Sequence, residues 1–318
     1  MTATPSDIGL QAIEDERKRL EARLRKIMGI GVGAALILLV LVAILQAPPL
    51  PVYMIVLLVP CFFAWIVGVT PLQRHLKFAH REMLQKISDS RGIDYQPDIE
   101  YGPDFDEFHG LRLAPSSDRQ HFRALFSGER HGIPFLLYEA HLQNRQVTTD
   151  SQGRRRTSWV TVFHGELFKI DWPTPFTGKT MVMRDKGLFN QAARPNKGLQ
   201  RVGLASAHFE AAFEVWSDDQ VNARTILDPV VMERFLALEK TFQGKSLRAA
   251  FYSGSLYLCV RTHTRIPRPA LFKPLTTGPF VENINKGFEA IYDLIDLAVA
   301  PVQGHLGQHL AIDNVRST

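Results

Sequence analysis

The chain has 318 residues, with 37 Lys+Arg against 32 Asp+Glu and a formal net charge of +5. Counted from Gln96 onward the balance narrows to 26 Lys+Arg against 24 Asp+Glu, so the basic excess sits near the N-terminus and is not the footprint of a nucleic-acid binder. The two cysteines, Cys61 and Cys259, imply no disulfide framework, which agrees with a cytoplasmic domain.

Residues 1–27 read as a charged cytoplasmic helix. Ser6 can cap it behind Pro5, and Ile13, Leu20, Leu24 and Ile27 recur at heptad-like spacing, suiting a helix that enters the bilayer or a short self-association segment. No Asp, Glu, Lys or Arg occurs over 27–73, and the Pro-rich stretch 46–51 splits this run into apolar blocks. Each block is long enough to cross a hydrocarbon core about 30 Å thick at about 1.5 Å per helical residue. A transmembrane hairpin over 28–72 follows, with spans at about 28–46 and 52–70. Buried core helices are the alternative, but basic residues collect at both free ends: Arg17, Lys18, Arg19, Arg23, Arg25 and Lys26 before the first block, Arg74, Lys77, Arg81 and Lys86 after the second. The positive-inside rule then predicts both termini in the cytoplasm of a multi-pass inner-membrane protein. A cleaved signal peptide does not predict the second block. Gly29 and Gly33, with Gly31 and Ala35 offset by two, are candidates for close packing between the spans.

A juxtamembrane helix is expected over 73–95, ended by Gly92. A cytoplasmic α+β domain fills 96–300, and a polar tail 301–318. Residues 95–118 read as a linker anchored by Phe105 and Phe108. Strands are expected at 122–126 and 133–142 around a Ser127-Gly128 turn, at 158–172 with a bulge at Gly165, and at 179–184 and 208–216. Between the second and third lies a polar, basic loop, 143–156, with Arg154, Arg155 and Arg156 at its tip. Asp228 and Pro229 open a helix that places Val231, Phe235 and Leu238 on one face. Alternation over 247–251 and 256–260 about Ser253-Gly254 predicts a β-hairpin. Ile284, Phe288, Ile291, Ile295 and Ala298 give an amphipathic helix that Pro301 stops.

No motif in this framework completes a catalytic or metal site. Gly178-Lys179-Thr180 and Gly244-Lys245-Ser246 lack the upstream glycine and the following helix of a phosphate loop. Gly29-Ile30-Gly31-Val32-Gly33 lies within a span and is no dinucleotide fingerprint. His305, His309 and Asp313 are four apart, but Gly304 and Gly307 weaken any helix there, so no metal is expected. Glu289, Asp293 and Asp296 read as a solvated helix face. Ser158, His164 and Asp171 share one strand, with alternation placing Ser158 and His164 on one side and Asp171 on the other.

The segments Phe126-Ser127-Gly128 to His141-Leu142, Val162-Phe163-His164-Gly165-Glu166-Leu167-Phe168 and Asp219-Gln220-Val221-Asn222-Ala223-Arg224-Thr225-Ile226-Leu227-Asp228-Pro229 resemble bacterial membrane proteins of the domain-of-unknown-function 3137 group. The resemblance implies a charged helical N-terminus, two spans and a soluble domain, with no assigned activity. It singles out Arg224, either as a ligand-binding group or as a tie to Asp218, Asp219 or a nearby carbonyl.

These readings converge on a membrane-anchored binding or scaffold module without a cofactor. Its expected partners are the lipid bilayer, anionic headgroups at the Arg/Lys flanks, and a protein partner or a second copy of the chain. The alternative is a membrane-tethered enzyme or small-ligand sensor. Candidate ligand or partner residues are Arg224, His164, Glu166, Arg154, Arg155 and Arg156.

Overall fold

The structure, a computed structural model, describes residues 5–44, 50–149, 151–184, 198–241, 246–261 and 285–296. They fall into two compact units, one holding the described residues up to 87, the other those from 88 onward.

The first unit is built on helices α1 (Pro5–Ile44) and α2 (Leu50–Asp89), 40 residues each. The expected charged N-terminal helix and first span are one continuous rod, as are the second span and the juxtamembrane helix, which runs through Pro60 and Pro71. At about 1.5 Å per residue each rod is about 60 Å long, about twice a bilayer's hydrocarbon thickness. Both contain a stretch long and apolar enough to cross a membrane. Large apolar side chains on these stretches face outward, among them Ile30, Ile37, Ile44, Phe62 and Phe63, whereas a soluble core helix would bury them.

The helices are antiparallel. A methyl group added at Gly31 would meet Ala64 and the Pro60 carbonyl, and one at Gly68 would meet Leu24. The close approach therefore falls at Gly31 and Gly68, with Ala35 fully buried. Gly29 and Gly33 have nothing within 4 Å among the described residues; they lie off the contact stripe, two positions to either side of Gly31. On α2 the stripe continues as Val69, Leu72, Leu76, Ala79 and Met83, alternating three and four apart. On α1 it holds Glu14, Arg17 and Leu24, with Arg17 2.8 Å from Glu14 and 2.9 Å from Glu21. Of the predicted heptad stripe Leu24 is buried there and Leu20 and Ile27 are half-buried, while the Ile13 side chain lies outside the described residues.

In the second unit α2 ends in a left-handed Gly92, with Ile93 N–H donating to Ser88 O and Gly92 N–H to Asp89 O, as the sequence predicts. The 95–118 stretch is not a plain linker. It holds an edge strand, β1 (Asp94–Ile99), and a short helix, α3 (Phe105–Gly110), that drives Phe105 and Phe108 into the core. Strands β2 (Arg119–Arg130), β3 (Ile133–Thr149) and β4 (Arg155–Asp171) follow as a meander. The β2–β3 turn is His131-Gly132, both at positive φ, and Ser127-Gly128 lies inside β2. The remaining elements are β5 (Thr180–Arg184), β6 (Gln200–Val202), α4 (Ala207–Ala212), β7 (Phe213–Ser217), α5 (Gln220–Ile226), α6 (Pro229–Thr241), β8 (Ser246–Tyr252), β9 (Ser255–Arg261) and α7 (285–296). The predicted strand at 208–216 is helical in its first half, since the Ser206 hydroxyl accepts from Phe209 N–H and caps α4.

Together the strands form one nine-stranded antiparallel sheet in the order β1-β2-β3-β4-β9-β8-β5-β7-β6. The β8–β9 hairpin, turning at Ser253-Gly254 as predicted, fills the centre. Being central, its strands are covered on both faces and nearly every residue is buried. One face packs on α3, where Phe105 stacks edge-on against Phe122 at 4.8 Å and Phe108 against Tyr257 at 5.3 Å. The opposite face packs under α6 and α7: Phe235 meets Phe251, and Phe288 meets Phe126 at 5.2 Å. Asp228 caps α6 by accepting from Val230 and Val231 N–H. The α7 acids are not merely solvated: Asp296 pairs with Arg130 and His131, and Asp293 lies 3.5 Å from Arg234. The sequence and the structure agree on an α+β fold with long apolar N-terminal helices.

Candidate functional site

The β3–β4 hairpin carries most of the candidate residues, and its register decides which of them meet. Glu139 pairs with Glu166, His141 with His164, and Arg123 and His121 of β2 continue the two rows. Cross-strand partners point to the same face, so Arg123, Glu139 and Glu166 form one row, with His121, His141 and His164 beside it. Arg123 Nη2 donates to Glu139 Oε1 at 2.7 Å, and His164 Nε2 lies 2.6 Å from the same oxygen. The His164 ring also packs edge-on against His141 at 5.1 Å, whose Nε2 lies 2.9 Å from Thr161 Oγ1.

The two buried glutamates are treated oppositely by their surroundings. Burial by itself would raise the Glu139 carboxyl, but the hydrogen bonds and positive charge of His164 and Arg123 outweigh it and hold the group at about 2. Glu166 is as deeply buried, and its Oε2 has no hydrogen-bond partner among the described residues. Desolvation, reinforced by the neighbouring Glu139 charge, pushes its carboxyl up to about 8. At neutral pH the row therefore holds one carboxylate and one carboxylic acid. Across the sheet Cys259 is a buried thiol, pushed up to about 12 by desolvation, and so inert as a nucleophile.

Gly165 sits between His164 and Glu166 for a packing reason: a methyl group there would run into the Val260 carbonyl and approach Arg261 Cα to 2.9 Å. The bulge expected at Gly165 lies instead at Val162, where Leu142 pairs with Phe163 but Gln143 with Thr161. This bulge changes the phase of the strand, so Ser158 and His164 fall on opposite faces. Asp171 hydrogen-bonds Ser255, and Ser158 approaches Gln146 O, so no triad forms among these residues.

Beyond the bulge the predicted loop 143–156 is strand. Residues Gln143 to Thr149 pair with Thr161 to Arg155, and of the three arginines at the predicted tip Arg154 alone stays in the turn, beside Gly153 at φ 78°. The outer part of this arm, from Arg145 on β3 and up to Thr161 on β4, is exposed on both faces. Polar side chains obscured the strand in the sequence, because a two-stranded arm in water needs no apolar face.

Arg224 stands apart on α5. Its guanidinium donates to the Gly203 carbonyl at 3.1 Å and reaches the Gln220 carbonyl and side chain, so it ties the helix to the β6 region through nearby carbonyls. Asp219 caps α5 from Asn222 N–H. Sequence reasoning missed Glu139 and Arg123; the available signal was a lone acid in the otherwise apolar run 133–142. Among the described residues no group of three or more His, Cys, Asp and Glu is placed to hold a metal. His305, His309, Asp313 and the Gly244-Lys245 pair lie outside the described residues.

No curated protein matches the chain. Among solved structures, that of the mycobacterial trehalose monomycolate transport factor A, TtfA, aligns at 11% identity and a TM-score of 0.35, covering 67% of this chain and 91% of that one. So distant a likeness transfers neither fold nor activity. The family described as Protein of unknown function (DUF3137) matches residues 161–298, a segment that contains Val162-to-Phe168 and Asp219-to-Pro229 and leaves the 126–142 stretch outside, so the resemblance read in the sequence holds from the bulged half of β4 through α7.

Proposed function

We propose that the chain is a membrane-anchored binding module whose nine-stranded domain lies in the cytoplasm and recruits a protein partner or anionic lipid at the bacterial inner membrane. The observation that carries it is the asymmetry of the antiparallel rods: their outward-facing apolar stretches meet the uncharged 45–49 connection, and their basic halves lie together at the other end. Both termini then share the cytoplasmic side.

Single cysteines at Gln46 and Ser151 in a background with Cys61→Ser and Cys259→Ala test the orientation with a membrane-impermeant maleimide. Gln46→Cys should label on intact spheroplasts and Ser151→Cys only after lysis; labelling of Ser151→Cys on intact spheroplasts overturns the topology. In-cell crosslinking of the full chain, against a version lacking residues 1–92, then asks for the partner. Recovery of no protein that depends on the soluble domain removes the protein-recruiting half of the reading.

A second reading, a membrane-tethered enzyme or small-ligand sensor, is favoured by one observation, the buried Glu166 beside the Glu139–His164 pair, with the Glu166 Oε2 lacking a hydrogen-bond partner among the described residues. A carboxylic acid kept neutral at pH 7 can donate to a ligand. Loss of thermal shift by any bound small molecule in Glu166→Gln would support it.

A further inference from the structure

The β3–β4 arm has two chemically different faces. Arg145 pairs with Trp159 across the strands, Val147 with Thr157, and Thr149 with Arg155. Side chains alternate along a strand and cross-strand partners share a face, so Arg145, Val147, Arg155 and Trp159 project together. Arg119 of β2 joins them, its guanidinium 4.9 Å from the centre of the Trp159 ring. The other face carries Asn144, Gln146, Thr148, Ser158 and Val160, with Arg156 alone as a charge.

Trp159 and Val147 stay 42% and 41% exposed, and every arginine of the set is exposed. Asp118 lies close to the face, its carboxylate accepting from Arg145 N–H. A surface that alternates arginine with an exposed indole and a valine matches the interfacial zone of an anionic bilayer, where phosphates meet the guanidinium groups and amphipathic rings settle at headgroup depth. We propose that the Arg119–Arg145–Arg155–Trp159 face of the arm docks on anionic lipid headgroups. This rests on the anchored reading above, because attachment to a membrane-spanning unit keeps the arm at high effective concentration near the surface it would bind. An acidic protein surface would satisfy the arginines but gives the exposed indole and valine no comparable role.

The test is hydrogen exchange on the full chain in nanodiscs of phosphatidylcholine alone or mixed in equal parts with phosphatidylglycerol. Exchange over 143–161 should slow roughly tenfold in the anionic discs only. The protection should fade as salt shortens the screening length toward ~3 Å at 1 M. Arg119→Gln, Arg145→Gln and Arg155→Gln together should abolish it, and Arg156→Gln on the opposite face should not. Equal exchange in both discs, or equal loss with Arg156→Gln, overturns the docking face. Full exchange over the outward apolar stretches of α1 and α2 in the same discs would instead overturn the anchored reading, so the two failures are distinguishable.

Discussion

The inner and outer halves of the β3–β4 hairpin share one pair of strands and one ladder of hydrogen bonds, yet they hold charge in opposite ways. In the inner half Glu139 and Glu166 are buried between packed layers, and their ionisation is set by a few neighbours. In the outer half Arg145, Arg154, Arg155 and Arg156 are exposed on a two-stranded arm. The Val162 bulge divides the halves. Charges of the inner half should therefore govern folding stability and its pH dependence, and charges of the outer half should govern binding with little effect on stability.

The sharpest way to test this division is Glu166→Gln. Glu166 has a folded pKa of about 8 against an ordinary 4.5. Between those values the unfolded chain has released a proton that the folded chain keeps, so wild-type stability falls as pH rises through the window. The glutamine variant does not titrate there. Its advantage over wild type should be near zero at pH 5 and grow to about 3 kcal/mol by pH 8, at up to about 1.4 kcal/mol per pH unit. Denaturant unfolding of the full chain at several pH values measures it; a pH-independent difference would show that Glu166 is not the buried acid described here.

Glu139→Ala should act in the opposite direction. It leaves Arg123 and His164 without their shared acceptor, and breaking a fully buried pair costs about 3–5 kcal/mol. Arg123 is 31% exposed and hydrates in compensation, and the loss of one carboxylate relieves Glu166, so about 2 kcal/mol is expected at pH 7. Because the Glu139 carboxyl is depressed to about 2, its contribution is present above pH 4.5 and disappears as pH falls through 2. The Glu139→Ala and Glu166→Gln effects should be non-additive in a double-mutant cycle; strict additivity would mean the cross-strand pair does not interact.

How much of this was legible in the sequence depended on whether the determinant was local. The Asp228 cap, the Gly92 helix stop and the Ser253-Gly254 turn are local chemistry, and sequence and structure agree on each. Ser127-Gly128 was the wrong turn because His131-Gly132, an equally compact pair, closes the hairpin, while Gly128 packs near Ile93 and Phe135. The sequence predicts strand over 208–216, whose first half is helix, because a single serine cap with no apolar period around it is a faint signal. His164 and Glu166 could be named as candidates, but their partners Glu139 and Arg123 come from pairing register, which one residue of bulge can invert. The arm was missed because polar residues alone do not distinguish a loop from a solvated ladder.

A smaller effect is expected on the opposite face of the inner half. Tyr138 is fully buried, and its hydroxyl donates to the Pro103 carbonyl at 2.9 Å, fastening the stretch before α3 to the sheet. Tyr138→Phe keeps the ring contacts with Phe108 and Phe122 and removes that one bond, so about 1 kcal/mol should be lost. Protection of the 101–114 amides should fall while that of β8 and β9 holds; uniform loss would show that the tether is not local.

Arg155→Gln defines the other end of the scale. Its side chain lies on the exposed arm, and among the described residues no hydrogen bond or ion pair involves its guanidinium. Exposed substitutions away from caps, cores and strained backbone change stability by less than about 0.5 kcal/mol. The unfolding midpoint should therefore match wild type, while the arm's response to anionic lipid weakens. A substantial loss of stability would mean that the arm packs against some part of the protein in its working state. Its charges would then belong with those of the hairpin's inner half, and the separation between a folding half and a binding half would fail.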